Sequence, residues 1–352
     1  MIGEGGMAEV YRCIQHGSHG FERPMVLKGL HSKLMGNPVF QQMFLDEAKL
    51  LAQLQHPNIV QVFEVQTCGE VPYMFMEYVH GPTLELLQAR AQQRARYEPE
   101  HLLQILLQVC WGLDYAHDLR LQGAPAGLVH RDVSSNNILI DAQTGVAKLI
   151  DFGIARFDGD RSETQVGLLK GKLPYIAPEL LLGARPDRRA DVFSVGVLLY
   201  RAITQVMPFR GKTMREDVIA GRYPPPSSVT DLPRTLEAII TRALHPDPAQ
   251  RYQTAAQLAG DLEVELTRMG MEPAQLSDWI QELFPTAGWE TPSTPAHLDS
   301  ALLQQLARAG AEPRRRIHKR WIGLASLVGL TAMGLGLGLG LGLLWLIAPW
   351  SA

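Results

Sequence analysis

Apolar residues follow two different rhythms along this chain. Over the first eighty positions they come in short runs rich in strand-forming residues. Met25–Leu27, Ile59–Gln66 and Tyr73–Tyr78 are expected as strands. One stretch there, Gln41–Gln53, spaces Phe44, Leu45, Ala48 and Leu51 for one helical face. Further on the period is mainly helical, with long runs at His101–His117, Asp191–Ile203 and Leu236–Leu244. The pattern predicts an α+β fold of two lobes, a small β-rich lobe over about 1–79 and a larger α-helical lobe over 80–268.

From 269 to 320 a linker is expected. It carries an amphipathic helix at about Pro273–Leu283, with Leu276, Trp279, Ile280 and Leu283 on one face. A loop with Pro285, Pro292 and Pro295 follows, then a second short helix at about Ala296–Arg308. The linker ends in a basic cluster: Arg314, Arg315, Arg316, Lys319 and Arg320. From Trp321 to Ala352 no ionisable side chain occurs. Ile322–Ile347 is 26 residues, and a helix of that length spans ~39 Å at 1.5 Å per residue. That exceeds a bilayer core of about 30 Å, so 321–348 is predicted as one transmembrane helix. Its C-terminal place excludes a signal peptide. The basic cluster abuts its N-terminal side and no cation follows it, which places 1–320 in the cytoplasm as a single-pass protein of the inner membrane. The cluster also attracts anionic lipid headgroups. Gly334, Gly338 and Gly342 lie four apart, a small-residue seam through which a homodimer is expected to form.

Composition divides along the same line. The 352 residues carry 33 basic and 36 acidic side chains, a net charge of −3. Without the basic cluster, residues 1–313 hold −8, so no basic field marks a nucleic-acid partner. At 46% hydrophobic and 20% charged, the chain is excluded from the disordered class. Cys13, Cys68 and Cys110 stand far apart and show neither metal spacing nor a disulfide framework, so they are read as reduced thiols.

The chemistry lies in ordered short motifs: Gly3-Glu4-Gly5-Gly6-Met7-Ala8-Glu9-Val10, then Val26-Leu27-Lys28, Glu47, Met76-Glu77-Tyr78-Val79, His130-Arg131-Asp132, Asn137, Asp151-Phe152-Gly153 and Ala177-Pro178-Glu179. Any one of these is weak alone. Their order and gaps resemble those of the eukaryotic-like (Hanks-type) bacterial Ser/Thr protein kinases, and the resemblance covers residues 1 to about 268. It implies a two-lobed kinase fold, ATP and Mg²⁺ as cofactors with Mn²⁺ as a substitute, and protein substrates phosphorylated on hydroxyls, with autophosphorylation among them. Gly3, Gly5, Ala8 and Val10 would form the loop over the phosphates, where glycine lets backbone come close. Lys28 would hold the α- and β-phosphates and pair with Glu47. Glu77 and Val79 would bind the adenine edge through their backbone, with Met76 behind them. Asp132 would be the catalytic base, and Asn137 and Asp151 the metal ligands. Glu179 paired with Arg251, and Asp191 beneath the catalytic loop, would be structural and would set the chain apart from small-molecule kinases.

Three departures stand out. The family's lysine two residues after the catalytic aspartate is Ser134 here, and the threonine near the end of the activation segment is Lys172. One ammonium is lost and one gained, so Lys172 is expected to supply the missing charge. This combination resembles a variant of myxobacterial kinases. The glycine-rich run starts at residue 3, so the family's first strand is expected to be truncated. Arg131 is expected to pair with a phosphate on the activation loop, where Ser162 and Thr164 are available. The competing reading is a pseudokinase, a nucleotide-sensing scaffold at the membrane.

Overall fold

The computed structural model describes residues 2–4, 8–16, 18–31, 34, 37–68, 71–153, 173–270, 275–285 and 289. The chain divides into two compact units, Met1–His297 and Leu298–Ala352, and the described residues belong to the first. The expected helix at 296–308, the basic cluster and the span at 321–348 lie outside the described residues. Among the described residues no helix is long and apolar enough to cross a membrane.

The small lobe is built on a five-stranded antiparallel sheet in the order β1-β2-β3-β5-β4. Its strands are β1 (Gly3–Glu4), β2 (Ala8–His16), β3 (Glu22–Leu30), β4 (Val62–Cys68) and β5 (Val71–Glu77). The register sets Lys28 on the central β3 between Val10 of β2 and Met74 of β5. No apolar run announces β2, because Ala8 is its one buried residue. Pairing with β2 also carries β3 well beyond the apolar Met25–Leu27. β4 begins later than expected: Ile59 instead bridges Leu149 in the large lobe.

Helix α1 (Pro38–Leu51) packs against this sheet. It starts three residues before the expected Gln41, because Asn37 caps it by accepting from Val39 N at 3.0 Å. Pro38 sits in the first turn, where its missing N–H costs nothing. Phe44, Ala48 and Leu51 turn inward as expected, but Leu45 is half-buried and Glu47 takes an inward place. A buried carboxylate needs a partner, and Lys28 supplies it.

The large lobe contains α2 (Leu84–Gln93), α3 (Pro99–His117), the hairpin β6 (Arg120–Leu121) and β7 (Ala124–Pro125), and the pair β8 (Ile138–Ile140) and β9 (Ala147–Leu149). It continues with α4 (Pro178–Leu181), α5 (Arg188–Thr204), α6 (Met214–Ala220), α7 (Arg234–Ala243), α8 (Ala255–Arg268) and α9 (Gln275–Leu283). α5 is apolar on nearly every side because α3, α7 and α8 all pack on it. Gly196 permits that approach: a Cβ there would meet the Ala243 Cβ at 2.9 Å. Cys13 and Cys110 are free thiols, and burial pushes both up in pKa. The stretch expected as linker holds α9, whose face of Leu276, Trp279, Ile280 and Leu283 is buried in the same core.

Candidate active site

The cleft between the lobes collects its groups from β3, α1 and two loops flanking β8 and β9. Lys28 is 8% exposed, and its Nζ lies 3.2 Å from Glu47 Oε1 and 2.9 Å from Asp151 Oδ1. Burial by itself would lower the Lys28 pKa. The charges of Asp151 and Glu47, with their hydrogen bonds, outweigh it and push the pKa up, so the ammonium persists across the physiological range. One cation thus ties the small-lobe helix to the loop after β9, with Lys28 and Asp151 123 positions apart.

Asp132 and Asn137 bracket a tight catalytic loop. Asn137 Nδ2 donates to both the carbonyl and Oδ2 of Asp132, each at 2.8 Å. That fixes the carboxylate and turns the Asn137 amide oxygen the other way. Asp191, fully buried on α5, accepts from His130 N, Arg131 N and His117 Nε2 at 2.8, 2.8 and 2.7 Å. Burial would raise its pKa, but the His117 bond and the facing groups hold it below the usual carboxylate range. These bonds secure Arg131 at φ 64, a left-handed conformation costly for a residue other than glycine. His130 in turn holds the other loop: its ring bonds Ile150 O at 3.1 Å, and its carbonyl accepts from Gly153 N at 2.8 Å. Its ring also lies 4.3 Å from that of Phe152. Asp151, at φ 56, is aimed back toward Lys28 by this anchoring.

On the small-lobe side, Val10 faces Gly3 in the β1–β2 ladder, and Ala8 is buried. Among the described residues a Cβ on Gly3 would meet only Val10, at 3.8 Å, so their packing does not demand glycine there. Met76 is buried between Val26 and Val62 in the sheet. The Glu77 carboxylate pairs with Lys148 at 3.0 Å, and its backbone N donates to Gln61 O at 2.9 Å. Val79 is buried beyond it. Gly81 then passes β8 so closely that a Cβ would sit 1.8 Å from Ile140 O. Gly5, Lys172 and the activation-loop residues Ser162 and Thr164 lie outside the described residues. Ser134 is 3% exposed, and its hydroxyl has no hydrogen-bond partner among the described residues.

The expected Glu179–Arg251 pair is present and bidentate, at 2.8 and 2.7 Å. Arg251 is 1% exposed, and its other donors reach the carbonyls of His245, Arg189 and Pro246. A second network joins α5 to α2. Arg201 on α5 makes a bidentate pair with Glu85 on α2 at 2.6 and 2.8 Å. The Ser135 hydroxyl donates to the same carboxylate, and Tyr175 OH lies 3.2 Å from Ser135 Oγ. The Arg201 hydrogen bond lowers the Glu85 pKa. The sequence does carry one signal of it: an arginine inside the otherwise apolar run Val195–Ile203.

The arrangement offers a paired cation, a fixed carboxylate and two hard oxygen donors in one cleft. Among the described residues no three His, Cys, Asp or Glu side chains could hold a metal by themselves. The Asn137 and Asp151 oxygens suit Mg²⁺ only with donors from a second component, as phosphate oxygens would provide.

Comparison with known proteins agrees with this geometry. The protein kinase domain profile matches residues 1–261. The Myxococcus xanthus protein MasK, named a tyrosine-protein kinase, is 39% identical over 272 residues, 76% of this chain and 42% of MasK. The Mycobacterium tuberculosis serine/threonine-protein kinase PknB is 35% identical over 276 residues, 74% of this chain and 41% of PknB. The matched region thus spans about two fifths of these curated relatives. The solved kinase domain of Mycobacterium tuberculosis PknI superposes with a TM-score of 0.56 at 26% identity, over 75% of this chain and 94% of that one. With a matching profile over most of its length and the Lys28, Asp132 and Asp151 groups assembled in the cleft, the chain belongs to the protein kinase domain family.

Proposed function

We propose that the chain is an ATP- and Mg²⁺-dependent protein kinase that phosphorylates Ser and Thr hydroxyls of proteins, itself included, at the inner membrane. The observation that carries this reading is Lys28 bound at once to Glu47 and Asp151. The pair sets the ammonium where it would meet the nucleotide phosphates. The described neighbours leave room for a side chain at Gly3, so a glycine there fits a loop shaped for a ligand. Asn137 orients the Asp132 carboxylate, which would accept the proton of the attacking hydroxyl. Asn137 and Asp151 would hold Mg²⁺, which offsets phosphate charge when bound; Mn²⁺ has the same oxygen preference. The Ser/Thr preference is supported by PknB and set against MasK by name. Incubating the full chain with γ-labelled ATP, Mg²⁺ and a generic protein acceptor tests it. Label on Ser and Thr is expected; label confined to Tyr overturns the preference.

Membrane anchoring is part of the same proposal. It rests on the uncharged run 321–348 and the basic residues before it. Homodimerisation through Gly334, Gly338 and Gly342 would bring two copies together for autophosphorylation. The full chain should stay in the membrane pellet under alkaline carbonate, and a chain ending at Arg320 should not.

A buried serine at position 134 favours one alternative, the pseudokinase, since a hydroxyl cannot replace an ammonium. The reading preferred here is that Lys172 supplies that charge. Lys172→Thr should then lose phosphotransfer, and Ser134→Lys added to it should restore activity. An unimpaired single variant, or a double variant no better than the single, contradicts this.

A further inference from the structure

The helix that follows the large lobe leads back to the hinge. α9 is fixed to the segment joining α2 and α3. The Trp279 indole donates to Arg96 O at 3.0 Å, and its ring stacks on His101 with centroids 4.9 Å apart. The Glu282 carboxylate pairs with Arg96. Past the helix, Phe284 is buried and meets the Trp289 ring edge-on at 5.4 Å. Trp289 meets the His80 ring edge-on, also at 5.4 Å. His80 directly follows Val79, and its carbonyl accepts from Ala142 N at 3.0 Å. The point where the hinge enters the large lobe is therefore held on one side by β8 and its turn, and on the other by an aromatic ring from the C-terminal extension.

We propose that Trp279, Phe284 and Trp289 act together as a strap that braces the hinge, and that Trp289 is a positioning residue for adenine-nucleotide binding. This rests on reading the cleft as a nucleotide site. The adenine edge would be met by backbone groups of Glu77 and Val79, and holding His80 fixes the end of the segment that carries them. Phe284, buried at the end of α9, meets the Trp289 ring and so seats it against His80. An apolar helix face covered only for stability would need neither Phe284 nor Trp289 beyond its end.

The test uses the full chain, its Trp289→Ala and Trp289→Phe variants, and two readouts. Hydrogen exchange of peptide 77–83 without nucleotide reports the hinge itself. ATP titration reports the consequence. Trp289→Ala should exchange faster there and bind ATP more weakly by about 2- to 12-fold, the range one aromatic pair sets, with kcat at saturating ATP unchanged. Trp289→Phe, which keeps an edge-on ring, should recover most of both. Unchanged exchange in Trp289→Ala, at an unchanged melting temperature, overturns the strap. A parent chain that binds no nucleotide overturns the kinase reading instead, while the exchange comparison still decides the brace.

Discussion

Replacing Asp191 by asparagine should loosen the catalytic loop while leaving every catalytic side chain in place. The carboxylate is fully buried and accepts three hydrogen bonds: His117 and His130 N on Oδ2, and Arg131 N on Oδ1. An asparagine in its better orientation keeps an oxygen for the first two and turns an NH₂ group toward Arg131 N. One charge-assisted bond, about 1.5–3 kcal/mol, becomes a donor facing a donor, and the remaining two lose the charge that shortened them. Arg131 at φ 64 stores strain that this bond holds in place. The net loss is roughly 2–4 kcal/mol, which lowers the melting temperature by roughly 4–16 °C at about 2–4 °C per kcal/mol. Thermal melting followed by circular dichroism reads the first effect. Phosphotransfer at a temperature where both proteins are folded reads the second, and it should fall because Asp132 is next in the loop. Melting within a degree of the parent refutes the bookkeeping. Lower melting with undiminished transfer per folded molecule refutes the link from α5 to the catalytic loop.

Arg251→Ala would strand the Glu179 carboxylate and three backbone carbonyls, so it should cost about 3–5 kcal/mol and show in urea unfolding as a lower midpoint. Stability should also fall as pH drops below about 6.5. Burial depresses the pKa of His130, so the unfolded chain takes up a proton that the folded chain refuses, at up to about 1.4 kcal/mol per pH unit; His56 shifts the same way but is only partly buried, so solvent screening makes its share small. Urea midpoints across pH 5–8 check this, and a flat profile contradicts it.

Some parts of this molecule were legible in the chain and others were not, for physical reasons. Lys28, Glu47, Asp132, Asn137 and Asp151 could be read because each sits in a short motif whose neighbours fix its element, and the structure brings all five into one cleft. The Glu179–Arg251 and Asp191 contacts could be read for the same reason. The Arg201–Glu85 pair could not: its partners are 116 residues apart and lie on helices that local pattern does not orient toward each other. The face of α9 was plain, because amphipathic spacing shows that a surface needs cover. What covers it comes from segments more than 130 positions earlier, around Arg96, His101 and Gly145, which no period records. β2 was hidden because an edge-like strand with one buried residue carries little apolar signal.

The account stands or falls on phosphotransfer by the full chain compared with Asp132→Asn, each with its ATP affinity measured alongside. The account predicts that the variant binds ATP nearly as well as the parent and loses transfer by about 10²–10⁴-fold, the share a positioned base supplies. A parent that binds ATP and transfers nothing, or a variant that transfers at the parental rate, would contradict it.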